Sequence, residues 1–389
     1  MAGRVLKVGV TGLGRAFSLM IPAFAGDSRV SLVAGADPRA EARAKFAADF
    51  GGRAHETVEA LCADREVDVI YVATPHGLHA QHAMMAAQAG KHVLVEKPMA
   101  LTLQDCAAMI DAAKRAGVHL IVGHSHSFDA PIRRARELIA SGEFGAVKMI
   151  TAFNYTDFLY RPRRPEELDP VQGGGAVFNQ AAHQIDIVRL LGGGRVKSVR
   201  AMTGAWDTAR PVEAAFTAQL VFENGAFASL VYSGYGHFDS DEFQNWIGES
   251  GHRKQPYAKA RAVLPSGAGE AAFKNARNYG GVAHQPQPAE AATHQHFGLV
   301  IVSCERGDLR PTPDGVMIYQ GGTARREVLP PPKLPRGEVI DELYDAIVNG
   351  RAPLHDGAWA MATMEVCLAM LRSAHEGGEV RLQHQIATP

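Results

Sequence analysis

Two glycines, Gly12 and Gly14, stand directly after an apolar run at Val5–Val10 and just before a stretch with helical periodicity. Glycine permits a tight turn there, and the N–H groups and positive dipole end of the following helix attract a phosphate. Phe17 occupies the third glycine position of the usual G-x-G-x-x-G pattern, so the turn alone is a weak signal. The turn indicates phosphate binding but needs a second observation to support it.

A carboxylate supplies that observation. Asp37 ends the second apolar run, 23 residues after Gly14. An acid about 20 residues beyond the glycines commonly binds the ribose hydroxyls of a dinucleotide. The order strand, turn, helix, strand and acid therefore predicts NAD as the cofactor, because Asp37 would repel the 2′-phosphate of NADP. Arg39 could pair with that phosphate, so the sequence leaves NADP open.

Polar residues also follow the third and fourth apolar runs, at the sheet edge where doubly wound folds bind ligands. Glu96 and Lys97 are an unusual pair after a buried strand, and two interpretations stay open: an ion pair that caps the strand end, or a Lys97 ammonium beside the nicotinamide. The predicted cofactor contacts are Gly12, Gly14, Arg15, Ala16, Asp37, Arg39, Thr74, Pro75, His76, His79, Glu96 and Lys97.

The elements that must position these residues alternate regularly along the first third of the chain. Short apolar runs are separated by amphipathic stretches, which predicts right-handed β–α–β crossovers and a parallel sheet covered on both faces. The predicted strands are Val5–Val10, Val30–Ala36, Val67–Ala73, His92–Val95 and His119–Val122, and the predicted helices between them include Arg39–Phe50, His79–Ala89 and Leu103–Ala116. We therefore expect an α/β, doubly wound Rossmann domain over 1–123.

After residue 123 the pattern changes to long alternating strands joined by tight turns, at Val196–Trp206, Ala214–Phe222 and Ala226–Gly234. It predicts an α+β domain over 124–389 with a large open, mostly antiparallel sheet, through which a homodimer or homotetramer would form. Residues 251–296 are poor in aliphatic side chains. We interpret them as an insertion, either a lid, an arm at a subunit contact or a mobile solvated loop, with His294 and His296 at the surface.

The composition excludes several classes of protein. The 40 Lys+Arg and 41 Asp+Glu nearly cancel, which argues against a nucleic-acid-binding protein. No apolar run approaches the ~20 residues of a membrane span, and we expect no signal peptide. The four cysteines are too widely spaced for a disulfide framework or a thiolate zinc site. We therefore expect a cytoplasmic protein that acts on a small molecule, without nucleic-acid or membrane partners.

Several motifs together resemble the glucose–fructose oxidoreductase/inositol dehydrogenase/MocA oxidoreductases over nearly the whole chain. They are the Gly12-x-Gly14 turn, Ala73-Thr74-Pro75 with His79, Glu96-Lys97-Pro98, Gly173-Gly174-Gly175 through His183 and Asp186, and Leu371-Arg372-Ser373-Ala374. The resemblance implies a Rossmann domain followed by an α/β domain with an open sheet. It also implies that Lys97 and His183 are the catalytic pair.

One motif departs from the family pattern G-G-G-x-x-x-D-x-G-x-H-x-x-D. This chain has Asn179 in place of the first aspartate and Ala181 in place of the following glycine. Asn179 can position a hydroxyl but cannot accept its proton. Any proton relay must therefore run through Lys97 and His183.

Within the family, the stretch 233–242 and the basic insertion resemble phthalate 4,5-cis-dihydrodiol dehydrogenases. A loop with Tyr160, Arg161, Arg163 and Arg164 follows the first strand of the second domain, and by this resemblance it approaches the substrate. Arginine binds carboxylates through paired hydrogen bonds, so a dicarboxylate explains the loop better than a neutral sugar does. The alternatives are a solvated basic loop or a subunit contact.

Histidine is frequent, with 17 residues. His124 and His126 alternate after the fifth apolar run and would share a face, so they could ligate zinc. No third ligand stands at a diagnostic spacing, and we therefore expect no metal. We expect these two imidazoles and Asn179 to contact an acidic diol instead.

Together these features predict an NAD-dependent oxidoreductase, a dihydrodiol dehydrogenase of phthalate degradation in aromatic catabolism. It would oxidise phthalate 4,5-cis-dihydrodiol to 4,5-dihydroxyphthalate, with His183 as the base and Lys97 stabilising charge on the oxygen. A sugar or inositol dehydrogenase of the same family is one alternative. A non-catalytic NAD-sensing regulator is the other.

Overall fold

A computed structural model gives the fold and describes residues 3–257, 264 and 269–388. The chain divides into two compact units. The first comprises the described residues of 1–124, 266–290 and 333–361, and the second those of 125–265, 291–332 and 362–389. The expected boundary after residue 123 lies next to this division. The expected second domain over 124–389, however, includes two segments that group with the first unit.

The first unit is built on a six-stranded parallel sheet with the strand order β3-β2-β1-β4-β5-β6. Its strands are β1 Leu6–Thr11, β2 Val30–Ala36, β3 Arg53–His55, β4 Val69–Val72, β5 His92–Val95 and β6 Leu120–Val122. The predicted doubly wound fold is confirmed, and its order reverses between β1 and β4, where such sheets bind ligands. The sequence did not reveal β3, because this edge strand is largely exposed and has no apolar run.

The second unit contains a nine-stranded sheet with the order β14-β13-β12-β11-β7-β10-β9-β8-β15. Its strands are β7 Val147–Tyr155, β8 Val196–Gly204, β9 Ala215–Phe222, β10 Phe227–Ser233, β11 Leu299–Cys304, β12 Gly307–Thr312, β13 Gly315–Gln320, β14 Thr323–Val328 and β15 Val380–Arg381. β7 and β10 pair in parallel, and the other pairs are antiparallel. The prediction of a large, mostly antiparallel sheet is confirmed.

The helices complete both units. They are α1 Arg15–Gly26, α2 Ala40–Phe50, α3 Val58–Cys62, α4 His79–Gln88, α5 Leu103–Ala116, α6 Ala130–Ala140, α7 Ala182–Gly192, α8 Gly269–Arg277, α9 Gly337–Val348 and α10 Gly357–Glu376. Thr102 caps α5, since its side chain accepts a hydrogen bond from the Asp105 N–H. Within the described ranges, no helix is both long and apolar enough to cross a membrane.

The described part of the insertion is packed at Tyr279. Residues 258–263 and 265–268 lie outside the described ranges, whereas α8 and Tyr279 belong to the first unit. Tyr279 is buried, its hydroxyl donates to Asp49 Oδ2 at 2.6 Å, and its ring meets that of Phe17 edge-on at 5.1 Å. The interpretation as a solvated loop is therefore wrong for Tyr279, whereas Val282 is fully exposed.

The expectation that His294 and His296 lie at the surface is also wrong. Both side chains are buried. The Nε2 atom of His294 lies 2.9 Å from the Pro330 carbonyl oxygen, and that of His296 lies 2.9 Å from the Ile247 carbonyl oxygen. These contacts satisfy polar ring atoms that would otherwise be costly to bury.

Candidate functional site

The glycine turn joins β1 to α1 at the carboxyl edge of the first sheet. Gly12 has a φ of +89°, and a Cβ at this position would lie 2.6 Å from the Ala73 carbonyl oxygen. Only glycine fits there. A Cβ on Gly14 would meet nothing within 4 Å, so Gly14 keeps space open beside the helix N-terminus, as a bound pyrophosphate requires. Exposed Arg15 and half-buried Ala16 begin this helix.

Asp37 fixes the turn from the end of β2. Its buried carboxylate accepts a hydrogen bond from the Leu13 N–H at 2.8 Å. Arg39 lies against it: Nε donates to Asp37 Oδ1 at 3.0 Å, and Nη2 donates to the Leu13 carbonyl oxygen at 2.7 Å. Nη1 donates to the Tyr279 carbonyl oxygen at 3.1 Å. The donors of Arg39 are thus directed at groups of the first unit itself.

His79 connects the segments that follow β4 and β5. Its ring nitrogens lie 2.8 Å from the Pro98 carbonyl oxygen and 2.9 Å from that of Thr74. Burial lowers the pKa of His79 to about 4, so the ring is neutral at pH 7 and donates to one of the two oxygens. The His79 ring therefore lies between the Lys97–Pro98 segment and the Thr74–Pro75 segment and is in contact with both. His76 lies beside it, with a distance of 5.6 Å between ring centroids.

The two residues after β5 differ in environment. Glu96 is buried and accepts a hydrogen bond from the Tyr71 hydroxyl at 2.5 Å, and burial raises the pKa of this carboxyl. Lys97 is half-buried. The contact with Tyr71 gives Glu96 a place in the packing of the sheet, and the predicted cofactor roles of both residues stay predictions.

The second unit contains a row of alternating charges, here called the ion chain, formed by Asp129, His126, Glu249, Arg161 and Asp157. His126 Nδ1 lies 2.7 Å from Asp129 Oδ2, and Nε2 lies 3.5 Å from Glu249 Oε1. Arg161 Nη2 lies 3.7 Å from Glu249 Oε2, and its Nε donates to Asp157 Oδ1 at 3.0 Å. Neither Asp129 nor Glu249 was a predicted site residue.

The ion chain determines the charge of His126. Burial alone would lower the pKa of this imidazole, but the carboxylates of Asp129 and Glu249 outweigh it and raise the pKa to about 9. His126 is therefore an imidazolium at pH 7. His124, the other predicted imidazole, is buried and is the last residue of the first unit.

His183 lies in the first turn of α7, directly after a π-helical turn at Val177–Ala181. Such turns are frequent at functional sites. The buried His183 ring lies 4.8 Å from the His126 ring and 5.0 Å from the Phe297 ring. One donor atom each of His126, His183 and Glu249 lies within 4.8 Å of the others, a set that could hold a metal ion. The expectation of no metal stays a prediction.

Asn179 has a local function that an aspartate could not perform. Its side-chain N–H groups donate to the carbonyl oxygens of Gly173 at 3.1 Å and Gly175 at 2.7 Å. A carboxylate has no such donors when ionised. The amide therefore fixes the glycine loop ahead of α7, and its predicted contact with substrate stays a prediction.

The three arginines of this loop have different neighbours. Arg161 belongs to the ion chain, and Arg164 Nε lies 2.9 Å from Glu166 Oε1. Arg163 Nη2 donates to the Phe158 carbonyl oxygen at 2.6 Å, and its guanidinium lies 3.9 Å above the Phe158 ring centroid. Burial lowers the pKa of Arg163 to about 10; the Glu167 carboxylate opposes this shift, and the charges of Arg161 and Arg210 add to it. Tyr160 is turned to Asp207, to whose Oδ2 its hydroxyl donates at 3.0 Å.

Asp186, the last residue of the motif that begins at Gly173, stabilises the segment that carries His126. It accepts hydrogen bonds from the Ser127 hydroxyl and, at 3.1 Å, from the Thr363 hydroxyl. Ser127 is the neighbour of His126, so Asp186 anchors the turn that presents this imidazole. The spacing of the motif could have indicated Asp186, whereas nothing in the sequence around Glu249 marked it as a site residue.

Comparison with known proteins identifies the class to which these two units belong. The family described as "Oxidoreductase family, NAD-binding Rossmann fold" matches residues 6–124, and the GFO/IDH/MocA C-terminal domain matches residues 132–251. The chain belongs to the glucose–fructose oxidoreductase/inositol dehydrogenase/MocA family, as its motifs predicted. It is an oxidoreductase with an NAD-binding domain.

Two of the proteins similar to this chain match nearly its whole length, and a third matches about two thirds of it. The 1-carboxy-3-chloro-3,4-dihydroxycyclohexa-1,5-diene dehydrogenase of Comamonas testosteroni is 49% identical, over 98% of this chain and 97% of its own. A putative dehydrogenase from Bordetella bronchiseptica RB50 has a TM-score of 0.91 and 41% identity, covering 97% of this chain and 100% of its own. D-xylose 1-dehydrogenase (NADP(+)) 2 of Haloferax volcanii is 31% identical over 68% of this chain and 79% of its own.

Proposed function

We propose that this chain is an NAD-dependent dehydrogenase of a carboxylated cis-dihydrodiol, and that it oxidises phthalate 4,5-cis-dihydrodiol to 4,5-dihydroxyphthalate. The environment of Arg163 is the observation that carries the proposal. Burial, Arg161 and Arg210 disfavour its positive charge more than the Glu167 carboxylate favours it, so a further anionic group from the substrate would stabilise that charge. The name of the Comamonas relative also describes a carboxylated dihydroxy diene.

Oxidation of the diol removes a hydride from one carbinol carbon and a proton from the hydroxyl on the same carbon. When bound, NAD⁺ accepts the hydride at its nicotinamide ring. The hydroxyl proton must leave at the same time, so a base must contact that oxygen. We assign this role to His183 and assign to Lys97 a hydrogen bond that stabilises the developing negative charge. The first product is a hydroxyketone, which becomes a catechol by tautomerisation, and the gain of aromaticity favours oxidation.

The cofactor preference follows from Asp37 and Arg39. Gly14 leaves space for a pyrophosphate, and Asp37 occupies the position of the acid that binds ribose. Arg39 could reach a 2′-phosphate only after it gives up its contacts with Asp37, Leu13 and Tyr279. We therefore propose NAD⁺ as the preferred cofactor, with kcat/KM at least about tenfold higher than for NADP⁺.

A second substrate is favoured by a separate observation. Arg161 and Arg164 both lie in ion pairs with acids of the protein. A second carboxylate of the substrate would have to compete with these acids for either guanidinium. The chlorinated monocarboxylate diene in the name of the Comamonas relative is therefore the second candidate.

The test is a direct assay. Purified protein is mixed with NAD⁺ or NADP⁺ and with each of the two diols, and reduced cofactor is followed at ~340 nm, with myo-inositol and D-xylose as comparison substrates. A higher kcat/KM for the phthalate diol than for the chlorinated diene supports the first proposal. Faster turnover of the chlorinated diene supports the second, and turnover of only the sugar or inositol contradicts both.

A further inference from the structure

We propose that His126, His183 and Glu249 form a binding site for a divalent transition-metal ion such as Zn²⁺. The three residues come from separate segments of the second unit, and one ligand atom of each lies within 4.8 Å of the others. Two imidazoles and one carboxylate are a common protein ligand set for zinc and its neighbours in the periodic table, with water in the remaining positions.

The distances between the ligand atoms are within reach of such an ion after the side chains move closer together. Zinc bonds of about 2.0–2.1 Å in tetrahedral geometry place neighbouring ligand atoms roughly 3.4 Å apart. His126 Nε2 and Glu249 Oε1 already lie 3.5 Å apart. The widest separation in the set, within 4.8 Å, has to shorten by up to about 1.4 Å.

Two of the three ligands have an outer partner that orients them. Asp129 accepts from His126 Nδ1 at 2.7 Å, and Nε2, whose proton the metal ion must displace, is directed at Glu249. Arg161 contacts the second oxygen of Glu249 at 3.7 Å, so the first oxygen is the one presented to the ion. A carboxylate behind a ligating histidine is the arrangement typical of metal sites.

The surroundings of the set are also suitable. The Phe297 ring lies 5.3 Å from the His126 ring and 5.0 Å from the His183 ring and is itself buried. This apolar wall limits the rotation of both imidazoles and lowers the access of water on one side. The site would therefore be largely preformed.

Occupancy has a consequence for catalysis, and this consequence rests on the proposed function. A metal ion bound to His183 uses a nitrogen lone pair that the proposed reaction needs for the hydroxyl proton. We therefore expect Zn²⁺ to inhibit the dehydrogenase, with half-maximal inhibition at the concentration that half fills the site.

Binding is measured first, without cofactor or diol. The full chain is stripped with a chelator and dialysed against Zn²⁺, the bound metal is counted by mass spectrometry, and Co²⁺ serves as a visible-absorption probe of the ligand geometry. We expect one ion per chain and a Co²⁺ spectrum of low coordination number. Fewer than roughly 0.2 ions per chain at saturating free metal would overturn the proposal.

Variants then locate the ion. Glu249→Gln should weaken Zn²⁺ binding at least 100-fold, and Asp129→Asn should weaken it about 10–100-fold, as expected for loss of an outer partner. Glu305→Gln, an exposed acid elsewhere in the same unit, should leave the affinity unchanged. Circular dichroism checks that each variant is folded. Unchanged Zn²⁺ affinity in folded Glu249→Gln places the ion elsewhere and overturns the assignment.

The inhibition is measured last, with whichever diol is turned over. Loss of turnover that follows Zn²⁺ binding, and recovers with chelator, supports the role of His183 in both proposals. Stimulation by Zn²⁺ would overturn the inhibitory role. If no diol is oxidised, the proposed function fails while the dialysis and Co²⁺ results still decide the metal site.

Discussion

The glycine turn of the first unit and the ion chain of the second are built in opposite ways. The turn is held by backbone groups and by residues at the ends of adjacent parallel strands: the Gly12 N–H donates to the Ala36 carbonyl oxygen at 2.9 Å, and the Leu13 N–H donates to Asp37. The ion chain consists of side chains from irregular segments, with Asp129 and Glu249 separated by 120 positions in the chain. One site follows from topology, and the other depends on tertiary packing.

The difference has a physical consequence. Backbone N–H groups at a helix start keep the same partial charge at every pH, so the turn provides a constant environment for an anion. The ion chain holds three carboxylates and two cations, whose charges depend on one another and on burial. Substitutions in the turn should therefore act by shape, and substitutions in or beside the ion chain should act by charge.

Lys97→Ala gives the largest expected effect and tests whether the first unit does more than bind cofactor. We expect turnover to fall by about 10³-fold or more, because the variant loses the group proposed to stabilise charge on the substrate oxygen. NADH affinity, measured by fluorescence titration, should change by less than about threefold. Lys114→Ala, an exposed lysine on α5, is the matched control. Unchanged turnover in Lys97→Ala would confine the chemistry to the second unit.

Arg163→Ala is expected to have the next largest effect and tests the charge argument in the second unit. Loss of its guanidinium should raise the KM for a carboxylated diol about 10–100-fold, with kcat little changed, because a charged hydrogen bond to substrate is lost. Arg164→Ala should have a smaller effect, since Arg164 is paired with Glu166 and Glu167. Equal effects of the two variants would indicate a general contribution of positive charge rather than a carboxylate contact.

Much of the first unit could be predicted because its signals are local. The apolar runs, the turn after β1 and the acid after β2 all lie in one supersecondary unit whose topology brings strand ends together. The roles of Glu96 and His79 were less accessible. The side chain of Glu96 is buried against Tyr71, and His79 joins two loops, and neither contact has a sequence spacing of its own.

The second unit was predictable in its strands but less so in its site. The segment before His183 is a π-helical turn over Val177–Ala181, and the Asn179 side chain in it donates to the glycine loop. Glu249 is 66 positions beyond His183, within a region without periodicity. Such a residue becomes recognisable only when packing places its carboxylate beside an imidazole.

The two glycines provide a matched pair that sharpens the shape argument. Gly14→Ala adds a methyl group where nothing lies within 4 Å, so thermal stability should be nearly unchanged. The same methyl group should raise the KM for NAD⁺ about tenfold, because it occupies space needed by the pyrophosphate. Gly12→Ala forces a Cβ to 2.6 Å from a carbonyl oxygen at a positive φ and should lower stability by about 2 kcal/mol or more. Thermal unfolding and NAD⁺ kinetics of both variants test this difference. An equal loss of stability in Gly12→Ala and Gly14→Ala would contradict it.

The smallest expected effect concerns an ion network of the first unit whose residues are not among the predicted site residues. Asp64 accepts hydrogen bonds from Arg53 Nε at 2.7 Å and from the Glu66 N–H at 3.0 Å. Burial alone would raise the pKa of this carboxyl, but Arg53, the Glu66 N–H and His55 lower it to about 2. A folded pKa below the unfolded value stabilises the protein above about pH 4, and this contribution is lost as the pH falls toward 2. Because Arg53 is partly exposed, we expect Asp64→Asn to cost about 1 kcal/mol at pH 7 and less at pH 3.

Urea unfolding of Asp64→Asn at pH 7 and pH 3 measures this difference, with Asp111→Asn on the exposed face of α5 as the control. A cost that stays equal at both pH values would show that the Asp64 contacts act by shape, as in the glycine turn. A cost that shrinks in acid would show that charge also stabilises the first unit. In that case the contrast between shape and charge holds for the glycine turn and the ion chain, and not for the rest of the two units.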